Sequence, residues 1–154
     1  MKNDKMQLLI GLVIGFLIFN FSNRSIIYNW RWLFTKYKGW RKVIIAQARF
    51  ETGDFKSLNF TKYNNSFGMG CARSREQVSV GCRNNDSGGN YAIYSNAGQS
   101  LEDLFLYLDN ARFPYQTKTN DMVFFYVDFI KDRNYFEADF NKYLKGVEYY
   151  YGRN

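Results

Sequence analysis

Making or breaking a covalent bond needs side chains that can give or take a proton, and this chain offers a restricted set. It contains no histidine. That excludes His-based triads, His–Cys nucleophile pairs and most catalytic zinc sites. Chemistry falls to carboxylates, tyrosines, amides and the backbone. Among the carboxylates, Glu51 stands apart by its surroundings. Apolar residues at Trp40, Val43, Ile44, Ala48 and Phe50 recur as in a helix with one buried stripe, and Gly53 supplies the stop. Glu51 lies one turn beyond Gln47, so it continues the inward-leaning side of the last turn. The negative end of the helix dipole and partial burial both disfavour the anion there. A carboxyl group that keeps its proton near neutrality is what a general acid needs. The competing reading is a solvated glutamate on the last turn of a surface helix.

Three stretches around and after Glu51 favour the acid. They are Glu51-Thr52-Gly53 with Ser57, then Asn64-Asn65-Ser66-Phe67-Gly68-Met69, then Tyr91-Ala92-Ile93-Tyr94-Ser95 with Ser100 and Asp103. In this order and spacing the chain resembles the glucosaminidase family of peptidoglycan hydrolases, which takes in bacterial autolysins, flagellar-assembly muramidase-like domains and phage lysins. The resemblance runs from about Gly39 to Tyr151. It implies a lysozyme-like domain of two lobes with a sugar-binding groove between them and Glu51 at its base. It also implies peptidoglycan glycan strands as partner, no cofactor and no metal.

Glycoside hydrolysis usually needs a second carboxylate to stabilise or capture the oxocarbenium-like carbon. The family often places it in the sheet lobe, where alignment puts Asn84, a departure. Glu76 and Asp86 are the nearby candidates, each also readable as a solvated turn residue. Asn84 or a tyrosine could position water instead, and the substrate's own N-acetyl group is a further option. The resemblance makes Tyr94 a groove-lining candidate and gives Asn65 and Phe67, with Asn64 and Gly68, the shaping of the strand start beside Glu51. An asparagine amide there would bind an N-acetyl group or simply hold a turn. Asp132-Arg133-Asn134-Tyr135 is similar to the family's later GYATDPNY segment. Tyr135 keeps the second tyrosine and is the catalytic candidate besides Glu51, while Phe129 replaces the first and Arg133 replaces the proline; a catalytic hydroxyl at the first position would be missing here.

The elements that must carry these residues read as follows. After the Glu51 helix, 54–65 is a short helix or turn with Ser57 as a cap. Strand-like content at 67–71, 78–84 and 91–94 forms a small antiparallel sheet, with Val78, Val80 and Cys82 alternating as in a half-buried strand. Asn85-Asp86-Ser87-Gly88-Gly89 is a turn. Ser100-Leu101-Glu102-Asp103 resembles a capping box opening a helix, and 121–130 and 137–150 are two more apolar-striped helices. The class is α+β and mostly helical.

The chain has 154 residues, a single domain's length, with 15 Phe, 13 Tyr and 3 Trp. Large rings serve both a core and a groove that stacks on sugar faces. The net charge of +7 suits an anionic partner such as a wall polymer or an acidic membrane surface. There is no nucleic-acid motif. Leu8 to Phe19 is an uninterrupted apolar run, shorter than the ~20 residues of a comfortable span and without a small-x-small cleavage site after it. A signal anchor, uncleaved or releasable, or a signal peptide over 1–24, preceding an exported domain over 25–154, is the expectation; the competing reading is a buried helix. The aromatic and basic segment 25–37 is either an interfacial helix or the first core helix. Cys71 and Cys82 are two buried thiols or, in an exported domain, a disulfide across a hairpin.

The expected protein is a monomeric, envelope-located endo-β-N-acetylglucosaminidase of bacterial or phage origin. The alternative is a lysozyme-like protein that binds glycan without cleaving it.

Overall fold

Helix α1 (Arg41–Glu51) is the element on which the 3-10 turn before it and the last two helices pack. A computed structural model of the chain describes Trp32, residues 35–84 and residues 89–153. The apolar run Leu8 to Phe19, most of the aromatic segment after it, and Asn85 to Gly88 with Asp86 lie outside those residues. Of that segment, Trp32 is buried, its ring set edge-on to Phe105.

The sequence implies one buried stripe on α1. Instead every residue from Val43 to Ala48 is buried, Gln47 included. Only a helix flanked on several sides loses water all round, and α4 (Met122–Lys131) and α5 (Phe140–Tyr151) flank α1. Trp40 is not part of the α-helix. It closes a 3-10 turn, Lys36–Trp40, that leads into α1. Its indole N–H donates to the Tyr115 carbonyl at 2.8 Å, and its ring meets Phe113 edge-on with centroids 4.8 Å apart. Phe113 also touches Phe125, Tyr126 and Phe129. Each well-oriented ring pair contributes about 0.5–1.5 kcal/mol beyond its buried area, so the aromatic wealth is spent largely on the core.

Ser57 caps α2 (Leu58–Tyr63) as expected, accepting from the Phe60 amide. The sheet has two antiparallel strands, β1 (Gly81–Asn84) and β2 (Asn90–Ile93), with Cys82 opposite Ala92 and Asn84 opposite Asn90. Gly70 adds an isolated bridge to Tyr91. Val80 lies ahead of the ladder and is 60 % exposed, so the alternation read at 78–82 does not describe a half-buried strand. A disulfide joins Cys71 to Cys82 and ties the strand start to β1.

Helix α3 (Ala97–Asn110) starts earlier than the Ser100 motif implies. Asn96 is its cap, accepting from the Gln99 amide, while the Gln99 side chain accepts from the Ser95 amide. That is a reciprocal cap four residues upstream of the expected one, and Ser100 is left inside the helix, buried. Asp121 caps α4 and Asp139 caps α5. The last helix therefore begins after 137, and Phe136 turns inward to stack on Tyr143, centroids 3.7 Å apart. The result is a mostly helical α+β domain with one small sheet.

Candidate active site

Glu51 is the last residue of α1. The chain leaves the helix through Gly53, Asp54 and Phe55, all with positive φ (56°, 61° and 64°). Left-handed backbone is ordinary for glycine but strained for a bulky residue such as Phe55. Buried Thr52 holds it in place. Its hydroxyl donates to the Ala48 carbonyl at 2.6 Å and accepts from the Phe55 amide at 2.8 Å. Its carbonyl accepts from the Lys56 and Ser57 amides. Arg49 pairs with Asp54 across the same turn at 2.7 Å.

The Glu51 side chain is partly exposed and sits between two contacts. Tyr143, on α5, donates its hydroxyl to Oε1 at 2.5 Å. On the other side Gly68 lies so close that a Cβ there would stand 3.0 Å from Oε2. Gly68 itself has φ +64°. Any side chain at that position would crowd the carboxyl, which accounts physically for the glycine in the Asn64–Met69 stretch. Burial pushes the Glu51 carboxyl up to about 7, against the lowering effect of the Tyr143 hydrogen bond. Near neutrality the group is therefore divided between acid and anion.

Behind Tyr143 runs a buried line of donors. Tyr126 donates to Gln47 Oε1 at 2.6 Å, and Gln47 Nε2 donates to the Tyr143 oxygen at 3.2 Å. Every bond points towards Glu51, so the dipoles reinforce one another. Burial first, and the Glu51 charge next, hold the Tyr143 phenol well above its ordinary value, which keeps it a donor. Gln47, Tyr126 and Tyr143 were not among the residues the sequence singles out for function. Tyr126 and Tyr143 read as members of apolar stripes. The one available signal is Gln47, a polar residue on the inward side of α1.

A cavity of about 190 Å³ opens beside Gly68. Its walls are Gly68 to Ala72 on one side and Arg75, Tyr107, Arg133, Asn134 and Tyr135 on the other. Tyr135 closes the wall by donating to the Phe67 carbonyl at 2.6 Å, with Met69 Sδ also near its hydroxyl at 3.1 Å. Burial holds its phenol well above the ordinary range.

The remaining sequence candidates divide into supports and surface residues. Asn65 is buried, and its amide is fully used. The N–H₂ group donates to the Met69 and Ala92 carbonyls at 2.9 Å each, and its oxygen accepts from the Met69 amide. Phe67 is fully buried beneath the same turn. Tyr94 is 2 % exposed, its hydroxyl donating to Asp103 at 2.6 Å, so its ring lies under the sheet rather than along the cavity wall. Asp103 also takes both Arg75 guanidinium nitrogens, at 2.6 and 3.1 Å, and Gln77 at 2.8 Å. Ser100 accepts from the Ser66 amide. The tyrosine–serine–aspartate stretch thus fastens α3 to β2 and to the strand start. Asn84 and Glu76 are exposed. Asp86 lies outside the described residues. Among the described residues no cluster of His, Cys, Asp or Glu is placed to hold a metal ion.

The stretches that carry the resemblance therefore meet in space: the helix end supplies the Glu51 carboxyl, Gly68 packs against it, and the Tyr94–Asp103 pair anchors the neighbouring sheet. The family model for glucosaminidases, described as mannosyl-glycoprotein endo-beta-N-acetylglucosaminidase, matches residues 32–151. No match emerges among curated proteins or among solved structures. The family match spans more than half of the chain and all but the last two described residues, and the chain belongs to the glucosaminidase family of glycoside hydrolases.

Proposed function

We propose that the protein is a peptidoglycan hydrolase that cleaves the glycan at β-1,4 bonds of N-acetylglucosamine, with Glu51 as the general acid. The observation that carries this reading is the Glu51 carboxyl at the end of α1, pushed up to about 7 by burial and packed against Gly68, which also lines a cavity. Glu51 protonates the leaving glycosidic oxygen as the bond to the anomeric carbon breaks. Tyr143 fixes the carboxyl's direction and remains a donor to the carboxylate left behind. Positive charge developing on the sugar ring is met by the substrate's own N-acetyl oxygen or by a group of the sheet lobe, for which Asn84, Glu76 and Asp86 are the candidates; water then adds to the anomeric carbon and its proton returns to the Glu51 carboxylate, leaving the new reducing end. Tyr135 and Asn65 act as supports of the wall.

The enzyme works in the cell envelope. The apolar run at Leu8 to Phe19 and the Cys71–Cys82 disulfide favour an exported, membrane-held domain, since disulfides persist in oxidising compartments.

The test is digestion of purified cell wall, with mass spectrometry of the new reducing ends. N-acetylglucosamine ends are expected. Glu51→Gln should lower the rate by about 10²–10⁴-fold, the usual share of acid–base catalysis. Activity that survives this change removes Glu51 from the mechanism. A second reading, glycan binding without cleavage, is favoured by the exposed Asn84 at the second-acid position. It would show as sugar binding with no product at all.

A further inference from the structure

The cavity beside Gly68 is smaller than the roughly 300–1,000 Å³ that houses a drug-sized ligand. Its size suits one sugar unit or one of its substituents rather than a run of saccharides. Its charge is more informative. Two guanidiniums line it, Arg75 and Arg133, and among its described lining residues there is no carboxylate. Arg75 is neutralised, since Asp103 takes it with two hydrogen bonds behind the wall. Arg133 is not. Its Nε and Nη1 donate to the Ala111 and Phe129 carbonyls at 3.3 and 3.1 Å, and its guanidinium lies 3.5 Å from the centre of the Phe129 ring. Those contacts fix the group without cancelling its charge, and among the described residues it forms no ion pair. Between the two guanidiniums stands Tyr107, whose ring lies under Arg75 and whose phenol both cations act on. The Tyr107 hydroxyl is buried and has no hydrogen-bond partner among the described residues. A buried hydroxyl without a partner costs free energy that an acceptor oxygen would recover.

We propose that this cavity binds a carboxylate carried by the sugar next to the scissile bond, and that Arg133 is the residue that selects for it. The proposal rests on the hydrolase reading, because it takes Gly68 as the shared wall between the cavity and the acid. A pinned guanidinium is suited to a carboxylate, which it meets in a fixed geometry with charge-assisted bonds. Two carboxylates of peptidoglycan have this chemistry: the lactyl group of a peptide-free muramic acid, and the stem peptide attached to it.

The experiment is calorimetric titration of the full chain carrying Glu51→Gln, so that no glycan is cut. Three glycans of equal length are compared: neutral chitooligosaccharide, peptide-free muramic-acid glycan, and peptide-bearing glycan. Either or both carboxylate-bearing glycans should bind more tightly than the neutral one, and which does so identifies the source. Adding Arg133→Gln should weaken the favoured glycan by about tenfold, the worth of one charged hydrogen bond, and leave the neutral glycan unchanged. Arg133→Lys should restore part of the difference. Equal affinity for all three glycans, or an equal loss on all three in Arg133→Gln, overturns the proposal and leaves a surface arginine that staples two loops. If no glycan binds and the unsubstituted protein releases no reducing ends, the hydrolase reading itself fails and carries this one with it.

Discussion

Tyr143 donates to Glu51 across 92 residues of sequence, and this bond ties the last helix to the carboxyl at the end of α1. It opposes the effect of burial on the carboxyl. Tyr143→Phe removes the opposing influence, so the Glu51 carboxyl should rise further above 7. A general acid works while protonated, so the alkaline limb of the pH–rate profile should move to higher pH, with a lower plateau from the less well-aimed carboxyl. Profiles of both proteins on the same wall substrate decide it. A limb that stays in place would show that Tyr143 is packing and nothing more.

The same carboxyl makes stability depend on pH. Its folded value of about 7 lies above the ordinary 4.5, so between those values the folded state binds more protons than the unfolded state. Stability contributed by the protonated form is complete below about pH 4.5 and falls as pH rises through 7. At pH 8 the loss amounts to about 3 kcal/mol for such a difference in pKa. Glu51→Gln, which carries no charge, should therefore be more stable than the parent at pH 8 by a cost on that order, and match it near pH 4. Urea titrations at the two pH values measure it. Parallel curves for both proteins at both pH values would contradict the burial of this group.

Gly146 lets α5 lie against α1. A Cβ at this position would fall 2.1–2.7 Å from ring atoms of Phe50, which itself meets Tyr143 edge-on at 5.0 Å. Alanine in a helix gains about 1 kcal/mol over glycine, but forcing a ring aside in a packed core costs about 1–3 kcal/mol. The second effect is the larger. Gly146→Ala should lower the melting temperature and, by moving Phe50 and Tyr143, lower activity per folded molecule. A variant that melts higher than the parent would show that the ring has room to move.

Asp103 is fully buried and accepts from Arg75, Gln77 and Tyr94. Removing one partner of a buried ion pair costs about 3–5 kcal/mol, because the other charge is left unpaired. Asp103→Ala should lose that much in equilibrium unfolding, and the sheet should be the part that loosens, seen as faster amide exchange in β2. A loss under 1 kcal/mol would mean that water replaces the carboxylate at no great cost.

How much of this was legible beforehand varies with the range of the interaction. The end of α1 at Glu51 follows from helix period and a glycine stop, both local, and both are found. The cap Ser57 is local too. Ser100 misleads because two overlapping cap patterns compete, and the small residues Ala97 and Gly98 carry no periodic signal to favour Asn96. Asn65 and Tyr94 stand in the stretches that mark the family, yet a residue type does not say whether its polar atoms face a ligand or a neighbouring strand. Only the strand register shows that Asn65 spends its amide on Met69 and Ala92. Tyr143 was invisible for the opposite reason. A tyrosine in an apolar stripe reads as core, and it is core, buried and stacked on Phe136. Its hydroxyl alone reaches the site.

The left-handed run Gly53–Asp54–Phe55 sets a rule for how relatives of this chain can differ in length. Each non-glycine residue there holds roughly 1–3 kcal/mol of conformational cost, balanced only while Thr52 reaches four residues at fixed offsets. Adding or deleting a residue between Thr52 and Phe55 would shift three of those offsets together, the ones to Phe55, Lys56 and Ser57. Insertions and deletions should therefore collect in the loops over the cavity, where they retune what is gripped, and spare these six positions.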